Sequence, residues 1–162
     1  MAIESLNDLL LHEMQDMYDA EHQLTEALLE MATAASSSDL KKAFKSHLEQ
    51  TQNHIKRLEE AFKLIDEKAK REKCVAMQGL VKEGSKMIEE DAEPTVKDAG
   101  LIASAQRVEH YEMAGYGTMR TFAYLLGHQD VARLFQQTLD EEEMTDKQLT
   151  EIANKINVKA MS

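Results

Sequence analysis

Four apolar stripes in this sequence are each interrupted by residues that bind metal ions or exchange protons. Glu21 breaks the series Leu6, Leu10, Met14, Met17, Leu24, Leu28, Met31. His47, Gln50 and His54 break Leu40, Phe44, Leu58, Phe62, Ile65. Glu109 and Glu112 break Ala105, Tyr116, Met119, Ala123, Leu126, and Glu142 and Asp146 break Val131, Phe135, Leu139, Leu149, Ala153, Ile156. Steps of three and four mark one face of an α-helix, so the interruptions point at a core. Buried carboxylates lose their hydration and repel one another, a penalty that a divalent cation removes. Carboxylates mixed with imidazole suit iron, manganese or zinc. The candidate ligands are Glu21, Gln50, His54, Glu109, Glu112, Glu142 and Asp146, for one or two ions per chain. His47 is expected to orient a ligand rather than to be one.

Long helices must position these groups. The single proline (Pro94), six glycines and abundant Ala, Leu, Glu, Lys and Met favour them, and no β-branched or aromatic run offers a strand. A first helix starts after Ser5, with Asp8 three places on as in a capping box, and ends in Ala34-Ala35-Ser36-Ser37-Ser38. A second follows Ser38 or Asp39 as cap and runs to about Ile65. After a charged stretch, a shorter helix covers about Val75 to Glu90. A long helix opens on Pro94 and runs to about Leu126, with Gly127 as its C-terminal glycine. The last covers about Gln129 to Ile156. Short loops join the outer pairs and a long connection carries the extra helix. The expected fold is all-α: a ferritin-like four-helix bundle with a short helix in its crossover, one domain over residues 1–162. The interruptions fall near the helix midpoints, so they share one level of the bundle.

The halves form a weak repeat: Glu21 aligns with Glu112, Gln50 with Glu142 and His54 with Asp146. The familiar di-iron pattern adds a Glu-x-x-His in each half; this chain has none.

Composition narrows the partners. A net charge of −11 disfavours nucleic acid and anionic membrane surfaces. No apolar stretch approaches the ~18 residues of a membrane span. Met1-Ala2-Ile3-Glu4-Ser5 is not a signal peptide, since no basic segment precedes an apolar one, and the cytoplasm is the expected compartment. Cys74 is alone and cannot form an internal disulfide.

Each residue also has a plainer reading. Glu21 alone is an ordinary interface acid, and His54 a hydrogen-bonded core histidine. Tyr18 and Tyr116, one turn from the acids, either hydrogen-bond to them or simply pack. Glu141 and Glu143 read as a solvated face beside Glu142, and Cys74 as a packed thiol. His110 lies about 100° off its stripe and reads as exposed. The methionines read as adaptable core. Recurrence at one level in four helices is what favours the metal site.

Several stretches resemble the YciF/YciE family of bacterial ferritin-like stress proteins. They are Tyr18-Asp19-Ala20-Glu21 with Gln23-Leu24; His47-Leu48-Glu49 with Thr51; Lys73-Cys74-Val75-Ala76-Met77 with Gly79-Leu80; Arg107-Val108-Glu109-His110-Tyr111-Glu112 with Tyr116-Gly117-Thr118; and Thr138-Leu139-Asp140-Glu141-Glu142 with Thr145-Asp146. The resemblance covers nearly the whole chain. It implies a ferritin-like bundle, a homodimer, a metal centre between the helices and a link to stress, without fixing a reaction. Gln50 stands where the family commonly has Glu, and His54 where Gln is common. That exchange either retunes the site or removes one ion from it.

Two functions follow as expectations. One is a di-iron or iron–manganese protein that acts on a small oxidant, O₂ or peroxide, or binds iron. The other is a non-catalytic dimeric structural or interaction protein whose buried polar groups form a metal-free network. Storage of iron in a cage is a third, with no shell-forming surface to suggest it.

Overall fold

In the computed structural model, which describes residues 2–162, the expected N-terminal capping pair is formed. The Asp8 amide donates to Ser5 Oγ at 3.1 Å, and the Ser5 hydroxyl donates to Asp8 Oδ2 at 2.7 Å. This starts α1 (Leu6–Ala34). α2 (Ser38–Leu64) is capped by Ser37, one residue before the expected cap; Ser37 Oγ accepts the Leu40 N–H at 3.4 Å. Three consecutive serines offer equivalent caps, and a distant residue chooses among them. Asp98, 2 % exposed, accepts the amides of Ser36 and Ser37 at 2.8 Å each and fixes the turn.

α3 (Val75–Glu89) is capped by Cys74, whose sulfur accepts the Met77 N–H at 3.3 Å. α4 (Pro94–Leu125) opens on Pro94, where the missing N–H had no helical partner to lose. It closes in a Schellman motif: His128 N–H donates to Ala123 O at 2.9 Å and Gly127 N–H to Tyr124 O at 3.1 Å. Gly127 has φ +84°, which glycine adopts without steric cost. α5 (Gln129–Ala160) continues past Ile156, the end expected from its stripe. Among the described residues there is no β-strand, and no helix is long and apolar enough to cross a membrane.

α1 packs on α2, α2 on α5, and α5 most extensively on α4; α3 lies against both α1 and α4. This is the all-α bundle with a helical crossover that the sequence predicts. Leu10, Leu28, Leu40, Phe44, Leu101, Phe135 and Leu149 are at most 2 % exposed. Each such side chain contributes ~1.5–3 kcal/mol relative to exposure. These apolar layers hold the four long helices at fixed spacing around the polar residues between them.

The crossover is tied down by Asp19 of α1. Its carboxylate accepts the Cys74 amide at 2.8 Å, the Gln23 side-chain amide at 2.6 Å and Arg71 Nε at 2.9 Å. Burial raises the Asp19 pKa, but these donors outweigh it and lower it below the usual 3.8. A depressed folded-state pKa stabilises above the unfolded value and stops stabilising as pH falls through the folded one. Asp19→Asn is therefore expected to cost about 1–2 kcal/mol at pH 7. In urea titrations the gap to the parent should shrink below about pH 3.8. A gap independent of pH would contradict this assignment.

Candidate metal centre

Glu21 of α1, His47 and His54 of α2, Glu109 and Glu112 of α4 and Glu142 of α5 are 0–2 % exposed and meet at one level. Two groups form there. Ligand atoms of His47, Glu109, Glu112 and Glu142 lie within 4.8 Å of one another, and so do those of Glu21, His54 and Glu142. Glu142 belongs to both. His47 and His54 are two helical turns apart, about 10.5 Å along the axis, yet both rings reach it. His47 Nε2 is 3.3 Å from Glu142 Oε2, and His54 Nδ1 is 2.9 Å from Glu142 Oε1. His47 Nδ1 also lies 3.0 Å from Glu109 Oε1, and His54 Nδ1 lies 3.5 Å from Glu21 Oε1.

These approaches are close without being hydrogen bonds. Both oxygens of Glu109, Glu112 and Glu142, with Glu21 Oε2, His47 Nε2 and His54 Nδ1, have no hydrogen-bond partner. Buried polar atoms are normally paired, so this many orphans at one place call for a ligand. The charges agree: four carboxylates carry −4, two divalent ions carry +4, and both imidazoles can then be neutral donors. The donor set fits divalent metal ions.

Without a cation, protons must do the balancing. Burial pushes Glu112 well above its usual pKa, reinforced by the charges of Glu142, Glu21 and Glu109. Burial likewise lifts Glu109 to about 8, against the pull of His47. Burial disfavours the charged form of each histidine, but the surrounding carboxylates prevail. His47 rises to about 10 and His54 to about 12. Glu142, facing both imidazoles, is held far below the usual carboxylate range despite its burial.

A ring of partners holds the cluster in place. The Tyr116 hydroxyl donates to Glu21 Oε1 from within the core. Tyr18 instead donates to Glu59, at 2.9 Å. His54 Nε2 hydrogen-bonds Glu141 Oε2 at 2.8 Å. Arg57 grips both oxygens of Glu141 at 3.0 Å and donates to Thr138 Oγ1 at 2.7 Å. Glu141 is thus no solvated bystander: hydrogen bonds from His54 and Arg57 lower its pKa to about 2. Its neighbour Glu143 is exposed, as expected.

The structure brings Glu21, His54, Glu109, Glu112 and Glu142 together and adds His47 as a full member of one group. It does not bring in Asp146, whose Oδ1 faces exposed His110 at 3.4 Å and the Gln106 amide at 3.3 Å. Gln50 is half-buried and accepts from Thr145 Oγ1 at 3.1 Å at the α2–α5 seam. The reason is angular. Gln50 lies about 60° from His47 around the helix, whereas Thr51 and His54 occupy the buried face and are 0 % exposed. On α5 the buried side includes Thr138, Glu142, Thr145 and Leu149, which puts Asp146 at its edge. Cys74 is buried outside the cluster, 3.0 Å from the Tyr111 hydroxyl, and burial raises its pKa to about 11.

The family model described as a domain of unknown function, DUF892, matches residues 5–161. The chain belongs to this family. Protein YciF of Escherichia coli (strain K12) is 45 % identical over 162 residues, 99 % of this chain and 98 % of that protein. The crystal structure of the E. coli stress protein YciF superposes with a TM-score of 0.94, at 44 % identity, over 97 % of this chain and 99 % of that one. YcfI, a proposed structural protein from Rhodopseudomonas palustris, gives 0.89 at 43 % identity, over 91 % and 94 % of the two chains. The chain is a homologue of a stress protein and shares its ferritin-like bundle, as the resemblance implied.

One substitution separates the burden of charge from its purpose. In chelator-treated protein, Glu112→Gln is expected to leave the melting temperature unchanged or raised, because burial and the neighbouring carboxylates disfavour a charge at this position. With manganese in excess, the parent should gain more stability than the variant, since only the parent keeps the full ligand set. A lower melting point for the chelator-treated variant would contradict this charge balance.

Proposed function

We propose that this chain is a ferritin-like, non-haem metal protein of bacterial stress response that holds two ions, iron or iron with manganese, on either side of Glu142. The observation that carries the reading is one buried carboxylate shared by two groups of ligand-type side chains, most of whose facing atoms lack hydrogen-bond partners. Glu21, His54 and Glu142 would hold one ion, and His47, Glu109, Glu112 and Glu142 the other. Bound there, iron or manganese would supply one-electron redox chemistry toward a small oxidant such as O₂ or peroxide. The protein's own part is to keep bulk water out, to hold Glu21 through the Tyr116 hydroxyl, and to give up protons from the imidazoles when an ion binds. Affinity therefore increases with pH. The reading includes a homodimer working in the cytoplasm without nucleic-acid or membrane partners, in keeping with the −11 charge.

The test is metal content. Untagged protein from cells supplied with iron and manganese should carry about two redox metals per chain by mass spectrometry, as in di-metal carboxylate bundles. Glu142→Ala should lose both, while Glu143→Ala, at an exposed neighbouring position, should lose neither. Metal-free parent protein with a normal fold would overturn the proposal. That result would favour the second reading, a dimeric structural protein with a proton-sharing polar core. Two observations support that alternative: the carboxyls and imidazoles can balance their own charge by protonation, and a relative is named a proposed structural protein.

A further inference from the structure

The two histidines of the cluster are held differently. Both ring nitrogens of His47 face carboxylates of the cluster itself, Glu109 at 3.0 Å and Glu142 at 3.3 Å. His54 divides its nitrogens. Nε2 makes a hydrogen bond of 2.8 Å to Glu141, which stands outside the cluster and is partly exposed. Nδ1 points at Glu21 and Glu142 and has no hydrogen-bond partner. Glu141 is itself fixed: Arg57 binds both its oxygens, and the same guanidinium is anchored on Thr138 one turn away.

A neutral imidazole carries its proton on one nitrogen only, and the partner of that nitrogen decides which. Carboxylates face both nitrogens of His54, but only Nε2 makes a hydrogen bond, to Glu141 outside the cluster. When an ion binds between Glu21 and Glu142 and displaces the Nδ1 proton, Glu141 keeps the remaining proton on Nε2 and directs the Nδ1 lone pair at the ion. Histidines that bind metals commonly use this arrangement, with a carboxylate behind the ring.

We infer that Glu141, clamped by Arg57, is a positioning residue that makes His54 a metal ligand through Nδ1. This rests on the two-ion reading of the cluster, and it assigns a task to a residue outside the ligand set. His47 has no outside carboxylate, so the two ion positions are inequivalent. The His54 ring is held in orientation by Glu141 before an ion arrives, whereas both ring nitrogens of His47 face cluster carboxylates and one must exchange that contact to admit an ion.

The test uses Zn²⁺, which is diamagnetic, as probe. Protein labelled with ¹⁵N-histidine is titrated with Zn²⁺, and long-range ¹H–¹⁵N correlations report the proton position on each ring. His54→Gln identifies the His54 signals. The expected zinc-loaded spectrum has the His54 proton on Nε2 and a metal-shifted Nδ1. Glu141→Gln should weaken Zn²⁺ binding by on the order of 10- to 100-fold and lose the single-tautomer signature. Exposed Glu143→Gln should change neither. A proton on Nδ1 in the zinc-loaded parent would overturn the inference whatever the variants do. So would Glu141→Gln protein with unchanged affinity and spectrum, which would leave the two-ion reading standing. A parent that binds no Zn²⁺ and no other divalent ion would remove that reading, and this inference with it.

Discussion

Four carboxylates and two imidazoles packed into the dry centre of a bundle are the constraint around which the rest of this molecule is arranged. Their desolvation and mutual repulsion oppose folding, and the opposition must be cancelled locally by protons or cations. Glu142 is where the cancellation concentrates, because both histidines and both ligand groups converge on it. The apolar layers do not relieve that cost. They make it tolerable by supplying stabilisation elsewhere along four long helices, and they keep the helices from separating to hydrate the acids.

Rigidity has identifiable sources. Asp98 locks the turn between α1 and α2 through two backbone amides, Asp19 locks the crossover, and the Schellman motif at Gly127 fixes the tight connection between α4 and α5. Each acts away from the cluster, at a place where the chain changes direction. The register of the helices, and hence the level at which Glu21, Glu109, Glu112 and Glu142 meet, depends on these connections as well as on the core. Tyr116, Glu141 and Arg57 then set side-chain orientation within that frame. The backbone frame of such a site is ordered before any ligand arrives, which limits the rearrangement that ion binding demands to side chains.

Much of this was legible in the residues. Helix boundaries came from local signals, and they held where a single residue supplied the signal, as at Ser5, Pro94 and Gly127. The serine run at 36–38 misled by one residue, because its register is set by Asp98, which lies 61 and 62 positions away from the amides it binds. The stripe interruptions include all six residues that meet, five of them as candidate ligands. Gln50 and Asp146 were misplaced because counting in threes and fours tolerates deviations of 40° to 60° (about what separates a core position from a rim position). His47 reads from the sequence as orienting a ligand, whereas the structure makes it a member of a ligand group. Only the side-chain directions bring both rings onto one carboxylate. Glu141 left no trace in the pattern: it sits beside a stripe residue, and its meaning comes from Arg57 and His54 on another helix.

The most direct test of the account is anomalous-scattering crystallography on crystals of the protein soaked with Mn²⁺. The account predicts two peaks flanking the Glu142 carboxylate, one among Glu21, His54 and Glu142 and the other among His47, Glu109, Glu112 and Glu142. Peaks confined to surface acids such as Asp146, or an empty core at saturating manganese, would contradict it.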